Sequence, residues 1–148
     1  MTERHPLIGK RTVITGPFAI FFKNHNKAMG LPAHAHTATV TVGIETTGDL
    51  GYPVFEATND LLRQTLTAKT QKMFRNSTNE DVADRLFELC LDFLEAWRTE
   101  PDRDEATRVL AEWGGDYRLS WMELGVEGVH DEIGHDEGTA FYRVERRE

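Results

Sequence analysis

The chain has 148 residues, and its 17 Lys and Arg against 25 Asp and Glu give a formal net charge of −8. This length predicts a single domain over residues 1–148, and the negative charge argues against nucleic acid or an anionic membrane surface as a partner. The one cysteine, Cys90, excludes an intrachain disulfide. The first ten residues lack the apolar core of a signal peptide, and no apolar run reaches the ~20 residues of a membrane-spanning helix, so we expect a cytoplasmic protein.

Two strands are predicted in the first third of the chain. Residues 11–22 are rich in β-branched and aromatic residues, and Gly16-Pro17 interrupts them, which predicts a bulge or a kink. Residues 36–45 alternate with a period of two, so that threonines share one face and apolar residues share the other. The apolar set is Ala38, Val40, Val42 and Ile44. Residues 24–36 contain Gly, Pro, Asn and three histidines, and they are interpreted as a loop long enough to be functional.

Two long helices are predicted next. Leucines recur near one side of a helical wheel and predict the first helix over residues 56–73. Ser77 or Thr78 can cap the second helix, with Glu80 or Asp81 placed near the amides of its first turn. The apolar stripe that follows must be buried against a sheet; it consists of Val82, Leu86, Leu89, Phe93 and Trp97.

The remaining elements are a short helix and two strands. Residues 105–113 are predicted to form a third helix that ends at a glycine pair, within an insertion near residues 101–115. Strand character returns at residues 117–125 and 139–147. The predicted order is therefore β-β-α-α-(α)-β-β, which is an α+β fold.

Four segments of the chain carry a resemblance to a known family. They are HAH with the TATVTVGIE that follows it, then GYPVFEATNDLLRQTL, NSTNEDVADRLFELCLDFL and YRLSWMELG. In this order, they resemble the 6-pyruvoyl-tetrahydropterin and 6-carboxy-tetrahydropterin synthases. The resemblance implies the tunnelling fold, with a four-stranded antiparallel sheet and helices packed on one face. It also implies a homo-oligomer, a trimer or a hexamer, that acts with zinc on 7,8-dihydroneopterin triphosphate or a related dihydropterin.

His34 and His36 are the first candidates for a metal site. Because side chains alternate along a strand, these two leave the same face with their Cβ atoms about 6.5 to 7 Å apart. The alternative is that two polar residues simply begin a strand where it leaves solvent. The resemblance implies that the pair binds zinc. The family's third histidine has no counterpart in the segment PFAIFF, which leaves His25 as the nearby replacement and gives the three ligands of a catalytic zinc site.

Glu123 and two further histidines are the other candidate site residues. The resemblance implies that Glu123 anchors the pterin, because a carboxylate can accept two parallel N–H groups of the ring in a fork. Its neighbours Trp121 and Met122 suggest burial, and the alternative is an ordinary solvated strand residue. His130 and His135 could act as a general acid or base, or they could simply lie on a solvated hairpin loop.

The chain departs from the family's pattern at two catalytic positions. The cysteine that often precedes HxH is missing from the segment AMGLP, and the Asp-His pair is missing from LTAKTQKMFRN. Cys90 lies in an apolar helix stripe and is expected to pack in the core. Three interpretations therefore remain: a zinc-dependent lyase of pterin or deazapurine-precursor metabolism, a different reaction on the same fold, and a catalytically inactive pterin-binding module or partner subunit.

Overall fold

The computed structural model describes the backbone of residues 5–26, 31–47, 51–69, 73–74, 78–127 and 139–147. Their side chains are described as well, except those of residues 23–26, 31–36, 67–69 and 73–74. The strands in this part of the chain are β1 (Arg11–Asn26), β2 (Leu31–Thr46), β3 (Met73–Phe74), β4 (Arg118–Glu127) and β5 (Thr139–Glu145). The helices are α1 (Tyr52–Lys69), α2 (Asn79–Leu94) and α3 (Glu105–Trp113), with a 3₁₀ turn at Ala96–Arg98. No described helix is both long and apolar enough to cross a membrane.

One sheet contains these five strands in the order β3-β1-β2-β4-β5. The four long strands pair antiparallel, whereas β3 pairs with β1 in parallel over two residues. The predicted α+β fold with four antiparallel strands is therefore confirmed. The sequence does not predict β3, because a strand of two residues is too short to show any periodicity.

The alternation of β2 divides the sheet into a buried face and an open face. The predicted apolar set is confirmed as core, since each of its members is at most 2% exposed: Ala38, Val40, Val42 and Ile44. Their partners Ile20 on β1 and Met122 on β4 are buried with them. The apolar side chains of α1 and α2 belong to the same core and cover this face. On the open face, Ile14, Phe21 and Phe141 are exposed.

The loop predicted over residues 24–36 is wrong. β1 and β2 extend through most of this segment, so that only residues 27–30 separate them, and those four lie outside the described residues. The register pairs His34 with Asn24. The hydrogen-bond ladder of two long strands outweighs the turn-forming composition of the segment. Pro32 is tolerated because it lies in a bulge of β2, where Pro32 and Ala33 oppose one residue of β1 and the ladder is interrupted.

The bulge predicted at Gly16-Pro17 is confirmed. The β1–β2 register shifts by one residue between Thr15 and Phe18, and Gly16 has a φ of 120°. A Cβ at Gly16 would lie 2.8 Å from the backbone oxygen of Val40, so that a larger residue would strain both strands. The extra residue keeps the inward-facing side chains on the buried face on both sides of the bulge.

The helix boundaries follow the predicted signals at α2 and α3 but not at α1. Thr78 caps α2, because its hydroxyl accepts the Asp81 N–H while the Asp81 carboxylate accepts the Thr78 N–H. α3 covers the predicted residues 105–113. α1 spans Tyr52–Lys69 and begins four residues earlier than predicted, because the carbonyl of Gly51 already accepts the N–H of Val54 and opens the first turn.

Asp116 ties the end of β2 to the start of β4. Its carboxylate accepts hydrogen bonds from the hydroxyls of Thr46 and Thr47 and from the backbone N–H of Thr47. These bonds, first of all the one from the Thr47 hydroxyl, hold the pKa of Asp116 well below its ordinary value of 3.8. Because the folded state has the lower pKa, the ionised carboxylate stabilises the fold above about pH 4, and this stabilisation is lost as the pH falls through the folded pKa.

Replacing Asp116 with Asn is expected to lower the free energy of unfolding at neutral pH by about 1 kcal/mol, a value reduced by solvent screening at this exposed carboxylate. The deficit relative to the wild type should shrink as the pH is lowered below about 4. Urea denaturation followed by far-UV circular dichroism measures both quantities. Asp102→Asn, in an exposed turn, is the control for loss of one charge. A deficit for Asp116→Asn that is the same at neutral and acid pH would contradict the assignment.

Candidate functional site

Glu123 lies near the middle of the open sheet face. Met122 and Leu124, its neighbours on β4, are fully buried on the helix side, so Glu123 belongs to the opposite face. The register pairs it with Thr41 on β2 and with Arg143 on β5. The Glu123 side chain is half-buried. Its backbone is fixed by two hydrogen-bond ladders, because β4 has a strand on either side.

The carboxylate of Glu123 has no hydrogen bond or ion pair to any residue within the described ranges. An ionised carboxylate offers two acceptor oxygens, and partial burial makes an unused acceptor more costly than it is at the surface. Glu123 is therefore an open acceptor on a fixed backbone, which a ligand with N–H donors can use.

Arg143 is the cationic neighbour that would ordinarily neutralise this carboxylate, but it is engaged elsewhere. The carbon at the centre of its guanidinium lies 3.9 Å from the centroid of the Trp121 ring. Its Nε lies 3.2 Å from Oε1 of Glu145. Trp121 and Glu145 are themselves register partners. They lie on the same face as Glu123 and Arg143, two residues along the strands. Arg143 therefore leans along the sheet, toward Trp121.

Two glycines make room for aromatic rings on the open face. A Cβ at Gly43 would lie 2.1 Å from Nε1 of Trp121, and a Cβ at Gly125 would lie 3.0 Å from Cε1 of Phe141. Gly43 is the register partner of Trp121, and Gly125 is the register partner of Phe141. Each ring thus covers the glycine on the neighbouring strand. This packing of rings on glycines was not predicted from the sequence, although a glycine inside a strand pattern indicates that another group approaches the backbone closely.

The backbones of the three predicted zinc ligands are described, and their side chains are not. His25 lies in β1, and His34 and His36 lie in β2, where the register pairs Asn24 with His34. The β1–β2 register shifts here, because Pro32 and Ala33 of β2 oppose the single residue His25 of β1. Among the residues that the structure describes, no three His, Cys, Asp or Glu side chains form a metal site. The zinc site therefore stays a prediction.

Glu123 and the HxH motif are well separated along the sheet of one chain. Thr41, the register partner of Glu123, is five residues beyond His36 on β2. At about 3.3 Å per residue, this separation is roughly 16 Å. His130 and His135, the predicted acid and base, lie outside the described residues, which end at 127 and resume at 139.

Cys90 lies fully buried in α2, as the sequence predicts. Burial raises the pKa of its thiol to about 12, because the thiolate cannot be solvated there. A buried thiol with a raised pKa is a poor nucleophile. Since it is the chain's only cysteine, thiolate chemistry has no residue to carry it.

Two solved structures match the chain over most of its length. The 6-pyruvoyl tetrahydropterin synthase of Plasmodium falciparum aligns with a TM-score of 0.51 at 9% identity, covering 93% of this chain and 98% of its own. The 6-pyruvoyl tetrahydropterin synthase of Plasmodium vivax aligns with a TM-score of 0.54 at 8% identity, covering 94% of this chain and 100% of its own. A scan against models of protein families gives no match, and a search of curated proteins gives none either. The likeness confirms the predicted tunnelling fold.

Replacing Gly43 with Ala is expected to displace the Trp121 ring, because the new methyl group would overlap Nε1 and Cε2. Overpacking of this kind lowers the free energy of unfolding by about 1 to 3 kcal/mol. Urea denaturation measures the loss, and near-UV circular dichroism reports the changed ring environment. Gly9→Ala is the matched control, since nothing lies within 4 Å of a Cβ there. Equal stabilities of the two variants would show that the ring does not rest on Gly43.

Proposed function

We propose that this chain binds a pterin-like heterocycle through Glu123 and acts as a zinc-dependent protein of the 6-pyruvoyl/6-carboxy-tetrahydropterin synthase type. The observation that carries the proposal is the half-buried carboxylate of Glu123, which no described residue pairs, near the middle of an open sheet face. The fold that the chain shares with two solved synthases supports this function at a general level. The proposed substrate is 7,8-dihydroneopterin triphosphate or a related dihydropterin.

Recognition of the ring would depend on the geometry of the Glu123 carboxylate. The amino group and the adjacent ring N–H of a pterin are two parallel donors, and the two oxygens of one carboxylate accept both. Such a fork fixes the plane and the orientation of the heterocycle. The ladders on both edges of β4 support this role, because they fix the backbone that carries the acceptor before the ligand arrives.

Zinc would be held by His34, His36 and His25. The register that brings Asn24 beside His34 supports this set, because it places the backbones of the three histidines on neighbouring strands. Bulges re-aim side chains and are frequent next to functional sites, which agrees with the bulge of β2 at Pro32 and Ala33, opposite His25. When bound, zinc polarises a substrate hydroxyl or carbonyl and makes its proton more acidic. His130 and His135 are the proposed acid and base for the proton steps.

A second chain would complete the site. The separation of roughly 16 Å between Glu123 and the HxH motif is larger than one ring can bridge with a direct fork and a direct metal contact. Within the described part of the chain, β5 has a strand neighbour on one side only. An edge of this kind is a template for pairing with another strand. We therefore expect a homo-oligomer, a trimer or hexamer, in which neighbouring subunits continue the sheet and share the pocket.

A catalytically inactive pterin-binding module or partner subunit is the second candidate. The burial of Cys90 favours it, because the chain's single thiol cannot reach a ligand on the open face. Incubation of the zinc-loaded protein with 7,8-dihydroneopterin triphosphate, followed by chromatography, separates the two candidates. New pterin products support the synthase, and bound but unchanged substrate supports the binding module.

Replacing Glu123 with Gln is expected to weaken pterin binding about ten- to hundredfold, because one acceptor oxygen becomes an N–H₂ donor and the fork is lost. The fluorescence of neopterin titrated with protein measures the dissociation constant. Glu127→Gln is the matched control, since Glu127 is an exposed glutamate of the same strand, four residues away. Equal affinities of wild type and Glu123→Gln would refute the anchor role, and a wild type that binds no neopterin would refute the pterin assignment.

Replacing His34 with Ala is expected to remove most of the bound zinc, because two imidazoles cannot hold a catalytic zinc ion as tightly as three. Elemental analysis of protein purified without chelators should give about one zinc per chain for the wild type. His5→Ala is the control, since His5 is an exposed histidine near the N-terminus. Wild-type protein without any transition metal would end the zinc proposal.

A further inference from the structure

We propose that Trp121 and Glu145 act as positioning residues that hold Arg143 away from Glu123 and so keep the carboxylate open to ligand. The inference rests on the proposed function of Glu123 and concerns what makes that residue available.

Glu123 and Arg143 are expected to form an ion pair, and they do not. Residues directly opposite each other in an antiparallel sheet have Cβ atoms about 4.5 to 5.5 Å apart, which is within reach of an ion pair. Glu123 and Arg143 are such a pair, on the same open face. An arginine and a carboxylate at this spacing would ordinarily form a charge-assisted hydrogen bond. The guanidinium of Arg143 makes its contacts with Trp121 and Glu145 instead.

The Trp121 ring, which attracts Arg143, is held in a fixed position. Trp121 is only 8% exposed, although it lies on the open face. Its indole rests on the Cα of Gly43, where any Cβ would overlap it, and the guanidinium of Arg143 lies over the ring. The ring thus has the β2 backbone on one side and a cation on the other. A ring held in this way gives the guanidinium one preferred position.

Two contacts of Arg143, with Trp121 and with Glu145, compete with an ion pair to Glu123. A cation–π contact and an exposed ion pair are comparable in strength. The contacts of Arg143 with Trp121 and with Glu145 together therefore outweigh a single pair with Glu123. If one of the two contacts is removed, the balance becomes close, and Arg143 spends part of its time on Glu123. An arginine paired with Glu123 would occupy the acceptors that the ligand needs.

Replacing Glu145 with Gln tests the inference in a protein that should fold normally, because the Glu145 side chain is 68% exposed. Neopterin binding is expected to weaken by about three- to tenfold in Glu145→Gln. Adding Arg143→Gln to that variant should restore the affinity, because no arginine is left to occupy the carboxylate. Trp121→Phe, which weakens the cation–π contact but keeps a ring, is expected to behave in the same way. Glu127→Gln serves as the control for loss of one negative charge.

A measurement without ligand separates this inference from the proposed function. The coupling between Glu123 and Arg143 in the free energy of unfolding is obtained from Glu123→Gln, Arg143→Gln and the double variant. It should be near zero in the wild-type background and favourable in the Glu145→Gln background. No gain in coupling, or unchanged neopterin affinity in Glu145→Gln, would overturn the positioning role. If wild-type protein binds no neopterin, the proposed function is wrong, and the coupling measurement alone decides where Arg143 is held.

Discussion

β2 is hydrogen-bonded to β1 along one edge and to β4 along the other, so its alternation decides which face of the sheet the residues of all three strands occupy. Its apolar positions bind the sheet to the helices, and the bulge at Gly16 keeps β1 in phase with them. The same constraint sends Thr41, and with it Glu123, to the face that the helices do not cover. A shift of one residue in the β2–β4 register would bury that carboxylate in the core and expose Met122 and Leu124.

The open face has an internal organisation that follows from small residues on the central strands. Gly43 and Gly125 have no side chains, so the rings of Trp121 and Phe141 lie flat over their backbones. Such rings cover strands that would otherwise lack packing on this side. They also bracket Glu123, which lies between positions 121 and 125 on β4. Its acceptor therefore lies between two aromatic positions of the open face, Trp121 on β4 and Phe141 on β5.

Local features of this fold could be predicted from the sequence, and features that depend on pairing between distant segments could not. The cap at Thr78 and the alternation of β2 are written in adjacent residues, and both are confirmed. The length of the β1–β2 hairpin depends on a ladder whose strength exceeds the turn preference of residues 24–36. The position of Arg143 depends on which of three neighbours its guanidinium contacts. Glu123 and Trp121 lie on β4, and Glu145 lies on the same strand as Arg143. The resemblance of its strand to a family motif predicts Glu123, whereas only the structure shows that no residue in the described ranges pairs with its carboxylate.

In the proposed function, binding and turnover depend on different residues, which is why an experiment can separate them. Binding of a flat heterocycle requires an acceptor on a fixed backbone, and in the proposed function Glu123 on β4 provides it. Turnover requires groups that move protons, and the chain's thiol is buried at Cys90 with a raised pKa. A sheet of this kind can therefore lose its proton relay without losing its acceptor, since the fold is stabilised by the core on the other face. With identities of 8% and 9% to the two synthases of the same fold, the chemistry has to be inferred from these residues and not from the fold.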